Sequence, residues 1–334
     1  MSVRWSDEID EVLVGDLTVA AAYVTPAGGA VVTGVAPCGL VDREQGAVGF
    51  TTSLGFAKKL DRIIRNPKVA LAYHAREHGF STRPEFVLAQ GVASVDVTPS
   101  RARLDAFRPN AEQFLGAVKQ GRLWDPLLRE YYGERVFVDV EVVRMTAWPN
   151  LTAAGSPVVF GANLAPVGAA PQRPPQKGTE PRVDVDHAAG QLAALPHRLL
   201  AFTGADGLPV VVPVDLAGHD GAGIRLVAAA GLLPPGGRRA GFLAHSFRPQ
   251  LVGLSTRTFT GWLEVADDGT AATYSPHTSK GFWAPPRKNL LLVSNGLFAK
   301  YGVWKARRSG VAEDLAKLAE LAKLNADVDD PRAA

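Results

Sequence analysis

This chain has almost no sulfur chemistry to offer. Cys38 is its one cysteine, and there is no CxxC or Cys/His cluster, so neither an intrachain disulfide nor a structural zinc is expected. A reducing cytoplasm fits that usage. Also missing is any uninterrupted apolar span of about 18 residues, which excludes a spanning helix. The opening "MSVRWSDEIDEVLVGDL" carries acids where a secretory leader carries bases, so no leader is expected. Net charge is scarce: 36 basic against 33 acidic residues leave +3, too balanced to argue for a nucleic-acid or membrane-surface partner. No GxSxG, no Walker A and no GxGxxG after a strand occurs, which disfavours nucleophile-elbow hydrolases, P-loop NTPases and Rossmann dehydrogenases.

What remains is a 334-residue globular composition, 46% hydrophobic and 21% charged, long enough for two domains or for two similar halves. From Leu17 to His74 short β-rich runs alternate with Gly and Asp punctuation, the pattern of an antiparallel sheet or small barrel. Residues 99 to 132 turn amphipathic and predict one or two helices before "RVFVDVEVVRMTAW" returns to strand alternation. Residues 151–190 are rich in Pro, Gly and Ala and read as a linker with extended segments. The predicted units are 1–150, a first barrel with a helical insert; 191–309, a second and degenerate barrel; and 310–334, a C-terminal helix and tail that docks on a barrel or a partner subunit.

The two halves echo each other. "YVTPAGGAVV" at 23–32 and "AFTGADGLPV" at 201–210 align at an offset of 178, pairing Thr25 with Thr203 and Gly29 with Gly207. The same offset carries "AVGFTTS" onto 225–231. "ALAYH" returns as "FLAHS", with His245 near Tyr73, and Gly91 stands opposite Gly261. The expected fold is α+β and mainly β: two tandem antiparallel split β-barrels forming a pseudo-dimer within one chain. Only the first half carries the helix "SLGFAKKLDRIIRNP"; the second has "GLLPPGGRRAG", where two prolines and two glycines oppose a helix.

That helix poses an electrostatic question. Lys58 and Lys59 fall in its opening turns, where the dipole is already positive. Ser53 is the expected N-cap, and Phe56, Leu60, Ile63 and Ile64 form the stripe expected to pack on the barrel. Free N–H groups, the hydroxyls of Thr51, Thr52 and Ser53, and two ammonium groups make a cradle for a phosphate.

The stretch "FTTSLGFAKKLDRIIRNPKVALAYH", preceded by "VTPAGGAVVTGVAP" and followed by "FVLAQGVASVDV", resembles the split β-barrel superfamily of pyridoxamine 5'-phosphate oxidase-like proteins. That superfamily includes flavin- and deazaflavin-dependent oxidoreductases. The likeness covers residues 10–97 and, more faintly, 195–266. It implies FMN, or alternatively coenzyme F420, with Lys58 and Lys59 on the phosphate, Thr52 and Ser53 as hydroxyl contacts, and Trp148 near the cofactor. It further implies a small organic substrate oxidised or reduced by hydride transfer, and either a monomeric pseudo-dimer or a homodimer. Two departures matter. Phe86 stands where many of these oxidases have a flavin-contacting glutamine, and no Arg-Leu-His segment occurs near the C-terminus, so oxidation of pyridoxamine phosphate itself is not expected. The alternative is a non-catalytic barrel that carries flavin, haem or another tetrapyrrole.

Other side chains complete the candidate set. Arg238, Arg239, His245 and His277 are candidate substrate or second-half contacts, the last in a Pro-rich loop, 273–289, with Lys280 and Trp283. His74 and His78 are four apart, but no third ligand accompanies them, and no metal is expected.

Overall fold

The structure is a computed structural model that describes residues 2–162, 169–267, 269 and 271–329. The first half runs α1 (Asp7–Gly15), β1 (Val19–Val24), β2 (Ala30–Val35), β3 (Val41–Asp42), β4 (Ala47–Ser53), a 3-10 turn (Leu54–Phe56), α2 (Ala57–Arg65), β5 (Lys68–Tyr73), β6 (Phe86–Asp96), α3 (Arg101–Leu115), α4 (Trp124–Gly133), β7 (Arg135–Trp148) and β8 (Val158–Gly161). The second runs α5 (Val185–Ala193), β9 (His197–Thr203), β10 (Pro209–Pro213), β11 (Asp215–Asp220), β12 (Gly223–Val227), β13 (Gly236–Ser246), β14 (Ser255–Val265) and β15 (Ala272–Trp283). Two helices close the chain, α6 (Lys288–Arg308) and α7 (Val311–Asp329).

The two sheets are wound identically. The first is ordered β2-β1-β5-β6-β7-β4-β3, with β8 added on β7, and the second β10-β9-β13-β14-β15-β12-β11. All the pairings are antiparallel. Strand for strand, each half is the counterpart of the other. A bulge marks the same place in both: register shifts at Gln90/Gly91 and at Thr260/Gly261. Only glycine fits there, because a Cβ would lie 2.0 Å from the Glu141 carbonyl oxygen at Gly91 and 2.2 Å from that of Ser275 at Gly261. Pro276 sits opposite Gly261, at the one kind of interior strand position that tolerates proline.

Strand registers correct the sequence alignment. Val24 pairs with Ala30 and Thr203 with Pro209, so the hairpins correspond at an offset of 179, matching Gly28 (φ 76°) to Gly207 (φ 78°). The one-residue slip matters because it exchanges the faces of a strand. In the corrected register Ala20 and Ala22 match Leu199 and Ala201, Ala72 matches Leu243, and His74 rather than Tyr73 matches His245.

These outward residues pack the barrels together. Ala20, Ala22, Val32, Ala70, Ala72, Phe86, Leu88 and Trp148 meet Leu199, Ala201, Val211 and Leu243 in one buried cluster, which is why β1 is buried on both faces. Each hairpin turn clasps the opposite barrel. Gly28 oxygen accepts from Thr203 Oγ1 and Gln172 Nε2, both at 2.9 Å. Across the axis, Lys68 Nζ donates to Asp206 oxygen and Gln90 Nε2 to Pro209 oxygen, both at 2.6 Å, while Arg144 meets the Asp206 carboxylate at 2.9 Å.

Three segments differ from their sequence reading. Residues 273–289 are mostly strand, since β15 pairs with β14 along its whole length and only Ala284–Arg287 form loop. The 151–190 stretch contributes β8 and most of α5. Helix α6, in the part read as second barrel, returns to the first half instead. It packs on α4 and on the 3-10 turn, where a Cβ at Gly302 would lie 2.9 Å from the Gly55 Cα. Helix α7 then lies on α2, placing Leu315 and Ala319 in the first core.

Candidate functional site

Strand β4 delivers Thr51, Thr52 and Ser53 to the mouth of the first barrel, with both threonines buried. Ser53 Oγ accepts from Gly55 N at 3.2 Å and therefore caps the 3-10 turn, not the α-helix expected of it. The turn delays α2 to Ala57 and leaves Phe56 61% exposed, outside the buried face of Leu60, Ile63 and Ile64. Lys58 and Lys59 thus occupy the second and third positions of α2, whose first turn holds no acid.

Their environment is cationic. Lys58 is exposed, and half-buried Lys59 sets its Nζ 5.5 Å from the Phe50 ring centroid and 4.9 Å from that of Phe56. Burial pushes the Lys59 ammonium down to about 8, from an ordinary value near 10.5. Arg135, at the start of β7, donates from Nη1 to Thr51 Oγ1 at 3.2 Å and lies over the Tyr131 ring at 4.7 Å. The nearby acid, Asp61, is already bound to Arg65 at 2.7 Å. Among the described residues no carboxylate comes within ion-pair distance of Lys58, Lys59 or Arg135. Arg135 escaped sequence reading because its place beside Ser53 is a strand-pairing fact.

Among the described residues the second half has no such cradle. Through the β4–β7 and β12–β15 registers, Thr51, Thr52 and Ser53 correspond to Val227, Ala228 and Ala229, and α2 has no counterpart before β13. The facing walls are unequal as well. The face of β6 and β7 turned to the second barrel carries Phe86 and Trp148, with ring centroids 5.6 Å apart, closed over by Leu88, Ala153 and Leu232. The matching face of β14 and β15 carries Thr256, Thr258, Thr260, Thr278, Lys280 and Phe282, all outside the buried core. There Thr260 and Thr278 share a hydroxyl hydrogen bond of 2.6 Å. This open face belongs to the strand β14 that packs against β2 of the cradle's barrel.

Trp148 is accordingly not brought to the lysines: it ends β7, whose opposite end carries Arg135, and it fills the closed wall. Arg238 is not a free anion ligand either. It is fully buried, donating to the Ala169, Pro234 and Pro235 carbonyls at 3.2, 3.0 and 2.6 Å, and so pins the double-proline turn. Arg239 donates to Arg173 oxygen at 3.3 Å and lies 6.0 Å from the Trp262 ring. His277 Nε2 meets Thr179 oxygen at 3.3 Å.

His245 has an unforeseen partner, its own counterpart. His74 Nε2 and His245 Nε2 are 2.6 Å apart across the pseudo-two-fold. His74 Nδ1 donates to Ala72 oxygen at 3.0 Å, which makes its Nε2 the acceptor and His245 the donor, so His245 Nδ1 is left a buried acceptor without a partner. His197 stands 5.1 Å from His245 by ring centroids, with Glu77 at 3.4 Å, and Phe247 stacks on His245. Burial pushes His74 down to about 3 and His245 well below its ordinary value. His78 lies apart, exposed on a turn at φ 63°, so the four-residue spacing makes no pair. Among the described residues no His, Cys, Asp and Glu group is arranged to hold a metal ion. Two grooves of about 340 and 450 Å³ lie between α5 and the ends of β14 and β15, sharing Gln191 and Arg257, and Phe282 of the open face lines the first of them.

No protein-family model matches this chain, and no curated protein sequence does. Solved structures do. A heme binding protein from Mycobacterium smegmatis is similar at 14% identity, with 89% of this chain and 99% of that one covered and a TM-score of 0.33. A putative pyridoxamine 5'-phosphate oxidase from Listeria innocua is 13% identical, covering 42% of this chain and 95% of its own at TM-score 0.30. A pyridoxamine 5'-phosphate oxidase-related, FMN binding protein from Nostoc punctiforme is 10% identical, covering 60% and 87% at TM-score 0.28.

Proposed function

We propose that this chain is a flavin- or deazaflavin-dependent oxidoreductase acting on a small organic molecule, with FMN the favoured cofactor and coenzyme F420 the alternative. One observation carries the reading: Lys58, Lys59 and Arg135 lie next to the end of β4 that carries Thr51, Thr52 and Ser53, Arg135 bonded to Thr51, and among the described residues none of the three cations has a carboxylate partner. A phosphate monoester fits that donor set, since it accepts from ammonium, guanidinium and hydroxyl groups at once. It would also relieve the cost of holding Lys59 half-buried without a counter-ion.

The protein's part is to bind and orient. Thr51, Thr52 and Ser53 with the lysines fix the phosphate end. The Thr256–Thr260 face and Phe282 supply hydroxyls and one aromatic surface for a planar ring between the barrels. When bound, the ring supplies the hydride chemistry. Absorption spectra of the purified protein test the assignment: bands near 370 and 450 nm mark FMN, one near 420 nm the deazaflavin, and a Soret band haem. Consumption of the reduced cofactor in the presence of an acceptor then establishes turnover. A second reading, a carrier that stores flavin or haem without turnover, is favoured by one feature. The open wall presents hydroxyls and Lys280 but neither a carboxylate nor an imidazole to move a substrate proton. Bound cofactor without consumption would select it.

A further inference from the structure

Helix α6 is apolar on both sides. Its inward face buries Leu291, Leu292, Gly296, Ala299, Val303 and Ala306 against the first half. Its outward face exposes Leu290, Val293, Leu297, Phe298, Tyr301 and Trp304, at 53, 36, 56, 63, 59 and 52%. Leu290, Leu297 and Trp304 repeat every seven residues, with Tyr301 four after Leu297, so they form one line along the helix. A helix apolar all round is ordinarily covered all round, and a stripe of this kind on a folded surface marks an interaction site.

Charge selects the occupant. Helix α6 carries five basic residues and no acidic one, with Arg287 directly before it and Lys305, Arg307 and Arg308 in its last turn. Arg307 is paired with Glu134 at 2.8 Å and Lys288 turns inward to the Leu115 oxygen, so the exposed cation at the amino end is Arg287, while Arg308 lies over the Trp304 ring at 5.2 Å, beside the stripe. Two copies joined along this stripe would set cation against cation in either orientation, because both ends of the helix are basic. An anionic lipid surface reverses that sign. Leucine and aromatic side chains enter the headgroup boundary, Tyr and Trp favour its depth, and flanking Lys and Arg meet the lipid phosphates.

We infer that the outward face of α6 docks the folded protein reversibly on a membrane surface rich in anionic phospholipid. Among the described residues no helix is long and apolar enough to cross the bilayer, so α6 would lie in its plane. The near-neutral whole-chain charge hides this, since the cations of α6 are offset by acids elsewhere in the chain.

The test is co-sedimentation of the full chain with vesicles of phosphatidylcholine alone or with phosphatidylglycerol added, alongside light scattering of the free protein. Binding should require phosphatidylglycerol and weaken as salt rises. Leu297→Glu with Trp304→Glu should lower it by about tenfold or more, and Lys305→Gln with Arg308→Gln by about fivefold per charge removed. Thermal melting of each variant, matching the parent, shows that the fold is kept. No sedimentation with anionic vesicles at low salt overturns the inference. So does a wild-type dimer that Leu297→Glu splits while vesicle binding stays at background, which assigns the stripe to a second copy.

Discussion

Lys59 is held where its charge is least welcome, half-buried between the Phe50 and Phe56 rings at the positive end of α2. Its ammonium loses a proton at about 8 in the folded chain and near 10.5 in the unfolded one. Between those values the folded state holds fewer protons, so this group's contribution to stability grows as pH rises through that window. Anion binding runs the other way, because it needs the ammonium. Phosphate or FMN affinity is therefore expected to fall as pH climbs above about 8, and Lys59→Met should flatten that limb in a fluorescence titration against pH. In stability the histidine pair has the same sense as Lys59, in a lower pH window. Both imidazoles are depressed by burial, so their contribution is complete above about 6.5 and is lost as pH falls, toward about 3 for His74. Asp16, pushed up to about 7 by burial beside Arg76, works against them in part of that range. Comparing denaturation midpoints of wild type and His245→Phe isolates the imidazoles: the variant should lose less stability on acidification.

At the scale of elements, the bulge glycines fix the curvature of both barrels. Gly91→Ala must displace the Glu141 carbonyl, which Ala would meet at 2.0 Å, and is expected to cost about 3 kcal/mol in chemical denaturation. Much of this was legible. The strands, the hairpins, the Gly91–Gly261 correspondence and the unmatched α2 follow from alternation, turn residues and the Asn66–Pro67 stop. Other features were not, for identifiable reasons. A one-residue slip in the alignment of "ALAYH" with "FLAHS" hid the equivalence of His74 and His245, which lie 171 residues apart and meet only across the barrel axis. Helix α6, apolar on two faces, gives no periodicity to say which face is inward or which half it joins. Arg238 reads as a free cation because the three carbonyls that hold it belong to turns.

The whole molecule is a pseudo-dimer whose two clefts have diverged. The first half carries Thr51, Thr52 and Ser53 where the second has Val227, Ala228 and Ala229, and the wall of β6 and β7 is filled by Phe86, Trp148 and Leu232 where the matching face of β14 and β15 is open. Cofactor binding should therefore saturate at one equivalent per chain, as read by calorimetric stoichiometry, where an evenly duplicated barrel would take two. The sequence pointed to this imbalance through the missing second helix. It did not show that the other cleft is plugged, because Trp148 reads equally well as a ring-stacking residue or as packing until its neighbours are known.

The account rests on a phosphate at the amino end of α2, and parallel titrations with FMN and riboflavin, which differ only in that group, test it most directly. FMN should bind more tightly by about 3 kcal/mol or more, as expected for two or more charge-assisted hydrogen bonds, and Lys58→Ala with Lys59→Ala should remove most of the difference. Equal affinity for the two, or a preference for FMN left undiminished by removal of both lysines, would contradict it.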